Sequence, residues 1–330
     1  MFRVYGSWRH SLHCLRRFST QTSHEAGRYR PRRAVMYVPG MDKRKMEKIP
    51  SVGVDTVVFD IEDGVAVDQK GTARYMIPET LAQLSIPAAT EVTVRVNGLD
   101  SNLTREDLQV ILEKSPDGLP EALMVPKVQS AEDVAEVDCM VGEFRPSAKH
   151  QPLPLFAIIE SPMGLLNLRD ICYHGIYKCE AVRLQVIVFG SDDYLAMIGG
   201  VRSEDASELV FVRQSIVTHA KAYQLQAIDL VHIDFKDLTS LKRQSQEGAW
   251  MGFTGKQVIH PTQVGVVQEA FTPTQDQITW ATGLIEEFDK HQKLGKGAFT
   301  YQGRMIDKPL LLQAKNIVNL HNAISGRTNS

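Results

Sequence analysis

Eight times between Arg33 and Ala270 the chain repeats one rhythm: a short β-branched run, polar or charged residues at its end, then an amphipathic helical stretch. The runs are Ala34–Val38, Thr56–Ile61, Glu91–Val96, Ala122–Val128, Leu153–Ile159, Leu184–Phe189, Ala227–Ile233 and Lys256–Ile259. Among the helical stretches are Asp42–Ile49, Arg105–Lys114, Ala131–Phe144, Pro162–Cys172, Ser207–Tyr223, Ser240–Trp250 and Thr262–Ala270. Strands this apolar, alternating with helices, predict a parallel sheet covered by helices, an α/β fold. Eight units, with no Gly-x-Gly-x-x-Gly after the first strand, favour closure into a (β/α)8 TIM barrel over an open nucleotide-binding sheet.

The barrel is assigned to residues 33–275, and residues 276–330 form a C-terminal helical extension that breaks the repeat. Gln277–Gln292 reads as one long surface helix, Leu294–Phe299 as a glycine-loosened connection, and Tyr301–Asp307 as the approach to a last helix begun by Pro309. Such an appendage closes over its own barrel or reaches a neighbour's. At the other end, the first 33 residues hold eight arginines, one acid (Glu25) and several Ser and Thr, the composition of a mitochondrial transit peptide, assigned to residues 1–32. Arg17-Phe18-Ser19-Thr20 resembles a matrix-protease cleavage context, which predicts the mitochondrial matrix; a basic arm for nucleic acid is the alternative. Without those 33 residues, 29 basic side chains face 38 acidic ones, a net charge of −9. A body that acidic has no general attraction for nucleic acid or anionic membrane. No apolar run approaches the ~20 residues of a membrane-spanning helix. The four cysteines form no Cys-x-x-Cys pair and are expected to be free thiols.

Chemistry gathers just past the strand ends: Pro39-Gly40-Met41-Asp42, Asp60-Ile61-Glu62-Asp63, Arg95-Val96-Asn97, Pro126-Lys127, Glu160-Ser161, Gly190-Ser191-Asp192-Asp193, Asp234 and His260-Pro261. In a barrel these share the carboxyl rim, where barrel enzymes keep their sites. Singly, Asp42, Ser161 and Asp193 suit helix N-caps, Arg95 and Lys127 suit ion pairs, and His260 suits a hydrogen bond in the core. Together they are more than structure asks for. Glu160 and Asp193 can share one divalent ion, and two hard oxygen ligands without a histidine pair suit Mg²⁺ rather than zinc. Lys127 offers a metal-free route through a Schiff base, which the surrounding carboxylates oppose by favouring its ammonium form.

The stretches Tyr37-Val38-Pro39-Gly40, Asp60-Ile61-Glu62-Asp63-Gly64-Val65, Val94-Arg95-Val96-Asn97, Val125-Pro126-Lys127-Val128, Ile159-Glu160-Ser161-Pro162-Met163-Gly164 and Phe189-Gly190-Ser191-Asp192-Asp193 resemble the citrate lyase β-subunit family of the HpcH/HpaI aldolase superfamily. Gly255-Lys256-Gln257-Val258-Ile259-His260-Pro261 and Met305-Ile306-Asp307 extend the likeness into the tail. The resemblance implies a Mg²⁺-dependent barrel, commonly a homotrimer, that makes or breaks a C–C bond between an acyl-CoA α-carbon and a 2-oxo acid. It implies that Glu160 and Asp193 bind the metal, that Arg95 meets the substrate and that Asp307 is the acid/base group. It places Tyr37, Arg44, Lys48, Gln257, Val258 and Ile259 against the CoA thioester or its phosphates. The implied reaction is reversible cleavage of (S)-citramalyl-CoA to acetyl-CoA and pyruvate. With glyoxylate the same apparatus gives malyl-CoA, and with thioester hydrolysis malate synthase behaviour. Met41, Arg44 and Asp192 depart from the family pattern; Arg44 for lysine keeps a phosphate contact with altered geometry. Asp307 also suits the N-cap of the last helix. A CoA-independent pyruvate aldolase and a non-catalytic subunit of a lyase complex remain the rival readings.

Overall fold

The computed structural model describes residues 29–293 and 299–328. Most of the leader, Arg17 to Thr20 included, and residues 294–298 of the tail connection lie outside them. Eight parallel strands close into a barrel in chain order: β1 (Ala34–Pro39), β2 (Thr56–Asp60), β3 (Glu91–Arg95), β4 (Ala122–Val125), β5 (Leu153–Ile159), β6 (Val182–Phe189), β7 (Gln226–Asp229) and β8 (Gly255–Val258), which returns to β1. Several runs read from sequence overshoot: β7 ends at Asp229 rather than Ile233, and β4 at Val125 rather than Val128. Two helices, Lys70–Leu81 and Ser191–Ile198, have no counterpart among the stretches named from sequence.

Alternation along each strand divides the core. Val35, Val58, Ala122, Met124, Phe156, Ile158, Val186, Val188 and Ile228 fill the barrel interior. Their neighbours, such as Val57, Phe59, Val94, Leu155, Ile187 and Val258, pack outward against the helices. The amino end of the interior is plugged by charge: buried Arg32 donates to both oxygens of Glu91 (2.6 and 2.7 Å) and to Gln185, and lies 4.9 Å from the Phe156 ring. Arg30, 2.7 Å from Glu121, joins the same end, so two arginines that composition groups with the leader are engaged in the barrel. The extension has its own small core, built from Ala281, Leu284, Phe288, Ile306 and Ala314. It comprises helix Gln275–Lys293, the hairpin Phe299–Tyr301 with Arg304–Ile306, and helix Lys308–Thr328. Among the described residues no helix is long and apolar enough to cross a membrane.

Candidate active site

Register builds the site. Asp60, last residue of β2, pairs with Arg95, last residue of β3, so the two side chains leave the barrel side by side. Arg95 Nε and one terminal nitrogen donate to the two oxygens of Asp60, each at 2.7 Å, and the other terminal nitrogen lies 2.7 Å from Glu62. Asp60 is itself fixed by the backbone N–H groups of Glu62 and Gly64 (2.9 and 2.8 Å). The Tyr37 ring lies 4.9 Å from the guanidinium. Burial opposes charge on Arg95, but Asp60, Tyr37 and Glu62 outweigh it and hold the guanidinium above its ordinary pKa. Two of its five N–H groups are bonded to Asp60, and the second terminal nitrogen is shared between Glu62 and, at 3.9 Å, Asp63, so donor capacity remains for a ligand. Glu62 is buried, and although it sits beside Arg95 and 3.3 Å from Lys127 Nζ, neither oxygen has a hydrogen bond of good geometry. Burial pushes its carboxyl above the usual range, with Asp63 adding to the shift.

Glu160 follows β5 and Asp193 follows β6. One Glu160 oxygen accepts a hydrogen bond from the Lys127 backbone N–H at 2.7 Å, and Lys127 takes a left-handed φ of +56° there. Gly190 makes room opposite: a Cβ on it would stand 2.5 Å from both Cβ and Oε2 of Glu160. Burial, then the charges of Asp193 and Glu62, push the Glu160 carboxyl up to about 8. Asp193 is raised by burial, Asp63 and Asp192. Among the described residues no cation pairs with either carboxylate. Nor is any group of three or more His, Cys, Asp and Glu side chains placed to hold a metal. Two mutually repelling carboxylates without a counter-ion fit a hard divalent cation completed by water and substrate oxygens, not a closed zinc site.

These groups line a cavity of about 120 Å³, bounded by Arg95, Ile158, Glu160, Phe189, Gly190, Ser191, Asp192, Asp193, Val231 and Gln257. Gln257 is held by three bonds: its amide donates to the carbonyls of Phe189 and Asp229 (2.8 and 3.1 Å) and its oxygen accepts from Tyr37 at 2.9 Å. A larger cleft, about 360 Å³, opens near Leu84, Pro87, Thr90 and Leu119, but its one carboxylate, Glu121, is already paired with Arg30.

The remaining expected site residues are spread around this centre. Arg44 and Lys48 are exposed on the segment after β1 and make no ion pair among the described residues. Val258 is fully buried against the helices, so its side chain does not reach the cavity, whereas Ile259 is exposed on the rim. Asp307 is exposed and caps the last helix, accepting from Leu310 N at 3.3 Å; it does not line its own chain's cavity. Asp42 and Ser161 are helix caps, and His260 caps helix Pro261–Ala270 while stacking on Phe235. Asp193 caps nothing: it lies inside helix Ser191–Ile198, which has Gly190 at its N-cap. Burial works against the Lys127 ammonium, but Glu62, Asp100 and Asp63 raise its pKa, which disfavours a Schiff base. Cys172 and Cys179 are free, buried thiols, each pushed up to about 12 by burial. Sequence reading missed Ile158 and Val231 as cavity residues; Val231 was hidden because the run Ala227–Ile233 looked like uninterrupted strand.

A family model described as HpcH/HpaI aldolase/citrate lyase matches residues 33–261. The chain is 47% identical over 310 residues to the mitochondrial citramalyl-CoA lyase of Homo sapiens, spanning 93% of this chain and 89% of that protein. It is 30% identical over 295 residues to a (3S)-malyl-CoA thioesterase of Cereibacter sphaeroides, covering 89% and 96% of the two chains. Among solved structures, the CitE protein of Mycobacterium tuberculosis in complex with magnesium, acetoacetate and coenzyme A superposes with a TM-score of 0.70 at 26% identity, covering 88% of this chain and 98% of that one.

Proposed function

The chain belongs to the HpcH/HpaI aldolase/citrate lyase family, and we propose that it is a Mg²⁺-dependent carbon–carbon lyase cleaving (S)-citramalyl-CoA reversibly to acetyl-CoA and pyruvate. Malyl-CoA cleavage or hydrolysis, malate synthase and β-methylmalate synthase reactions are the side activities expected of the same apparatus. One observation carries the reading: Arg95, Glu160 and Asp193 line a single cavity on the carboxyl rim, and among the described residues no side-chain cation pairs with either carboxylate. The relative named citramalyl-CoA lyase and the CitE complex with magnesium and coenzyme A support it.

Glu160 and Asp193 would hold Mg²⁺, which supplies a Lewis acid for the 2-hydroxy carboxylate end of the substrate. The chain's own groups do the rest. As the C–C bond breaks, its electron pair passes to the acyl-CoA α-carbon, and the enolate oxygen is met by the outward N–H groups of Arg95. One such donor typically contributes roughly 3 to 4 kcal/mol. Asp60 and Glu62 keep the guanidinium in place without exhausting its donors. Asp307 then protonates the enolate carbon, and in the condensing direction removes a methyl proton from acetyl-CoA. Because the hydroxyl loses a proton and the carbon gains one, the overall reaction is proton-neutral. Arg44 and Lys48 on the rim suit the CoA phosphates, and Tyr37 and the Gln257–Ile259 segment border the thioester.

Asp307 acts in a neighbouring subunit of a homotrimer. It stands between the exposed Met305 and Leu312, while Met163, Leu166, Met197, Ile198 and Val201 are exposed on the segments after β5 and β6. Two apolar surfaces, one carrying an acid and the other beside a cavity lacking it, suit each other. The basic leader is read as an address to the mitochondrial matrix, in keeping with relatives named mitochondrial, but its boundary falls before Arg30 rather than at residue 32, because Arg30 and Arg32 are engaged in the barrel. The test is acetyl-CoA-dependent condensation with pyruvate and with glyoxylate, each with Mg²⁺ and with chelator. Chelator-sensitive activity is expected, with citramalyl-CoA cleaved faster than malyl-CoA; inactivity with both oxo acids would overturn the reading.

A further inference from the structure

The lining of the cavity beside Arg95 combines charged and aliphatic residues. Arg95, Glu160 and Asp193 supply charge from the ends of β3, β5 and β6. The same lining includes two aliphatic residues, Ile158, one interior layer below Glu160 on β5, and Val231, half-buried just past β7. Phe189 also borders the space, but its ring packs in the outer core against Tyr194, with centroids 6.0 Å apart, so it presents main chain. Its carbonyl is taken by Gln257. Gln257 itself has no donor to spare, since its amide nitrogen already serves two carbonyls and its oxygen accepts from Tyr37. Ile158, Val231 and the committed Gln257 amide therefore form a wall with no free side-chain hydrogen-bond donor.

A small 2-oxo acid must direct its carboxylate and oxo oxygen to the charged residues, and whatever else its oxo carbon carries then meets the wall. We propose that Ile158 and Val231 select the oxo acid, favouring one that bears a methyl group, pyruvate, over glyoxylate, whose hydrogen leaves the wall uncontacted. The assignment rests on the lyase reading above and adds the residues that decide its substrate. The space, about 120 Å³, equals about four waters of liquid volume, enough for a short oxo acid and little more.

One methyl group in an apolar pocket discriminates about 10- to 200-fold. The experiment measures kcat/KM for pyruvate and for glyoxylate, at saturating acetyl-CoA and Mg²⁺, in the wild type, Val231→Ala, Val231→Leu and Ile158→Val, with thermal midpoints to confirm folding. Val231→Ala removes contact with the methyl and Val231→Leu fills its place, so opposite changes in volume should both lower the pyruvate-to-glyoxylate ratio by about fivefold or more. Ile158→Val, the mildest change, should lower it least. A wild-type ratio near one, or a ratio unmoved in both Val231 variants while activity persists, overturns the assignment and leaves the lyase reading standing. Absence of Mg²⁺-dependent condensation with either acid in the wild type removes the lyase reading and the assignment with it.

Discussion

Adding Mg²⁺ to the metal-free protein at pH 7 should expel a proton. The Glu160 carboxyl is pushed up to about 8 by burial and by the charges of Asp193 and Glu62, so at pH 7 about nine-tenths of the molecules carry it protonated. A divalent cation takes the carboxylate form only, and saturation should release roughly 0.9 proton from this group. Below pH 8 the competition weakens apparent affinity about tenfold per pH unit, which is about 1.4 kcal/mol. Titration calorimetry at pH 7 in two buffers of different ionisation enthalpy reads the proton count directly. The same group governs stability. Its folded pKa lies above its unfolded value, so its contribution is fully present below about pH 4.5 and is lost as pH rises through about 8. Between pH 6 and 8 the metal-free protein should lose about 2 kcal/mol, recoverable with Mg²⁺. Glu160→Gln should abolish both the proton release and most of the pH dependence. Metal binding at pH 7 with no proton released, and an affinity flat from pH 6.5 to 8.5, would refute this account.

Four further changes test other parts of the molecule. Mixed oligomers of Asp307→Ala and Glu160→Ala subunits should recover activity that neither parent shows, to about a quarter of wild type if each site draws on two subunits at random. Recovery of none would place Asp307 outside the neighbour's site. Arg95→Met leaves Asp60 and Glu62 buried without this cation, and should cost about 3 to 5 kcal/mol by denaturant unfolding at pH 7.5, with the cost shrinking as pH falls because burial raises the Glu62 carboxyl. Its turnover should also fall by a factor on the order of 10² to 10³. Lys256 is fully buried between barrel and helices, its Nζ 3.9 Å from Asp229 and without a hydrogen bond, while Arg213 already holds Asp229 at 2.7 Å. Lys256→Met should therefore leave stability unchanged or raise it by about 1 kcal/mol, whereas Arg213→Met should cost about 3 to 5. Burial brings the Lys256 amine down to about 8, so in the wild type this group adds stability as pH rises from about 8 toward 10.5, a rise the Lys256→Met protein should lack.

The barrel was legible because a strand covered on both faces must be apolar along its whole length, and eight such runs leave few alternatives. The helix Lys70–Leu81 escaped notice because Gly71 and Pro78 interrupt it and its apolar face is weak; it is kept by packing Ala73, Ile77 and Leu81 into the core. Glu160, Asp193 and Arg95 could be picked out as rim residues, since only the carboxyl ends of parallel strands gather on one face. What holds Arg95 could not, because the pairing of Asp60 with Arg95 is a matter of register between β2 and β3. Val231 needed the true end of β7, and strand ends depend on pairing partners rather than on composition. Asp307 shows the opposite limit: its local role as a helix cap is visible in the chain and in the fold, and the chemical role proposed for it would require a second subunit.

Both ends of this barrel carry buried charge, and the difference between them is what marks the site. At the amino end burial works to raise the Glu91 carboxyl, yet the hydrogen bonds and charge of Arg32, with Arg30 and Thr56, bring it below the usual range. The Arg32–Glu91 pair is satisfied, and a satisfied pair has little left to offer a ligand. At the carboxyl end Glu62, Glu160 and Asp193 are all raised, first by burial, and Arg95 beside them is shared among Asp60, Glu62 and, at 3.9 Å, Asp63. Burial without compensation is unfavourable to the empty protein and favourable to whatever cation and oxyanion complete it. A fold indifferent to catalysis would have exchanged one of those acids for an apolar or cationic residue, as the same barrel's other end could accept. The pair of raised carboxyls at Glu160 and Asp193, set beside the Arg95 guanidinium, is therefore the part of the structure that the proposed cation would complete.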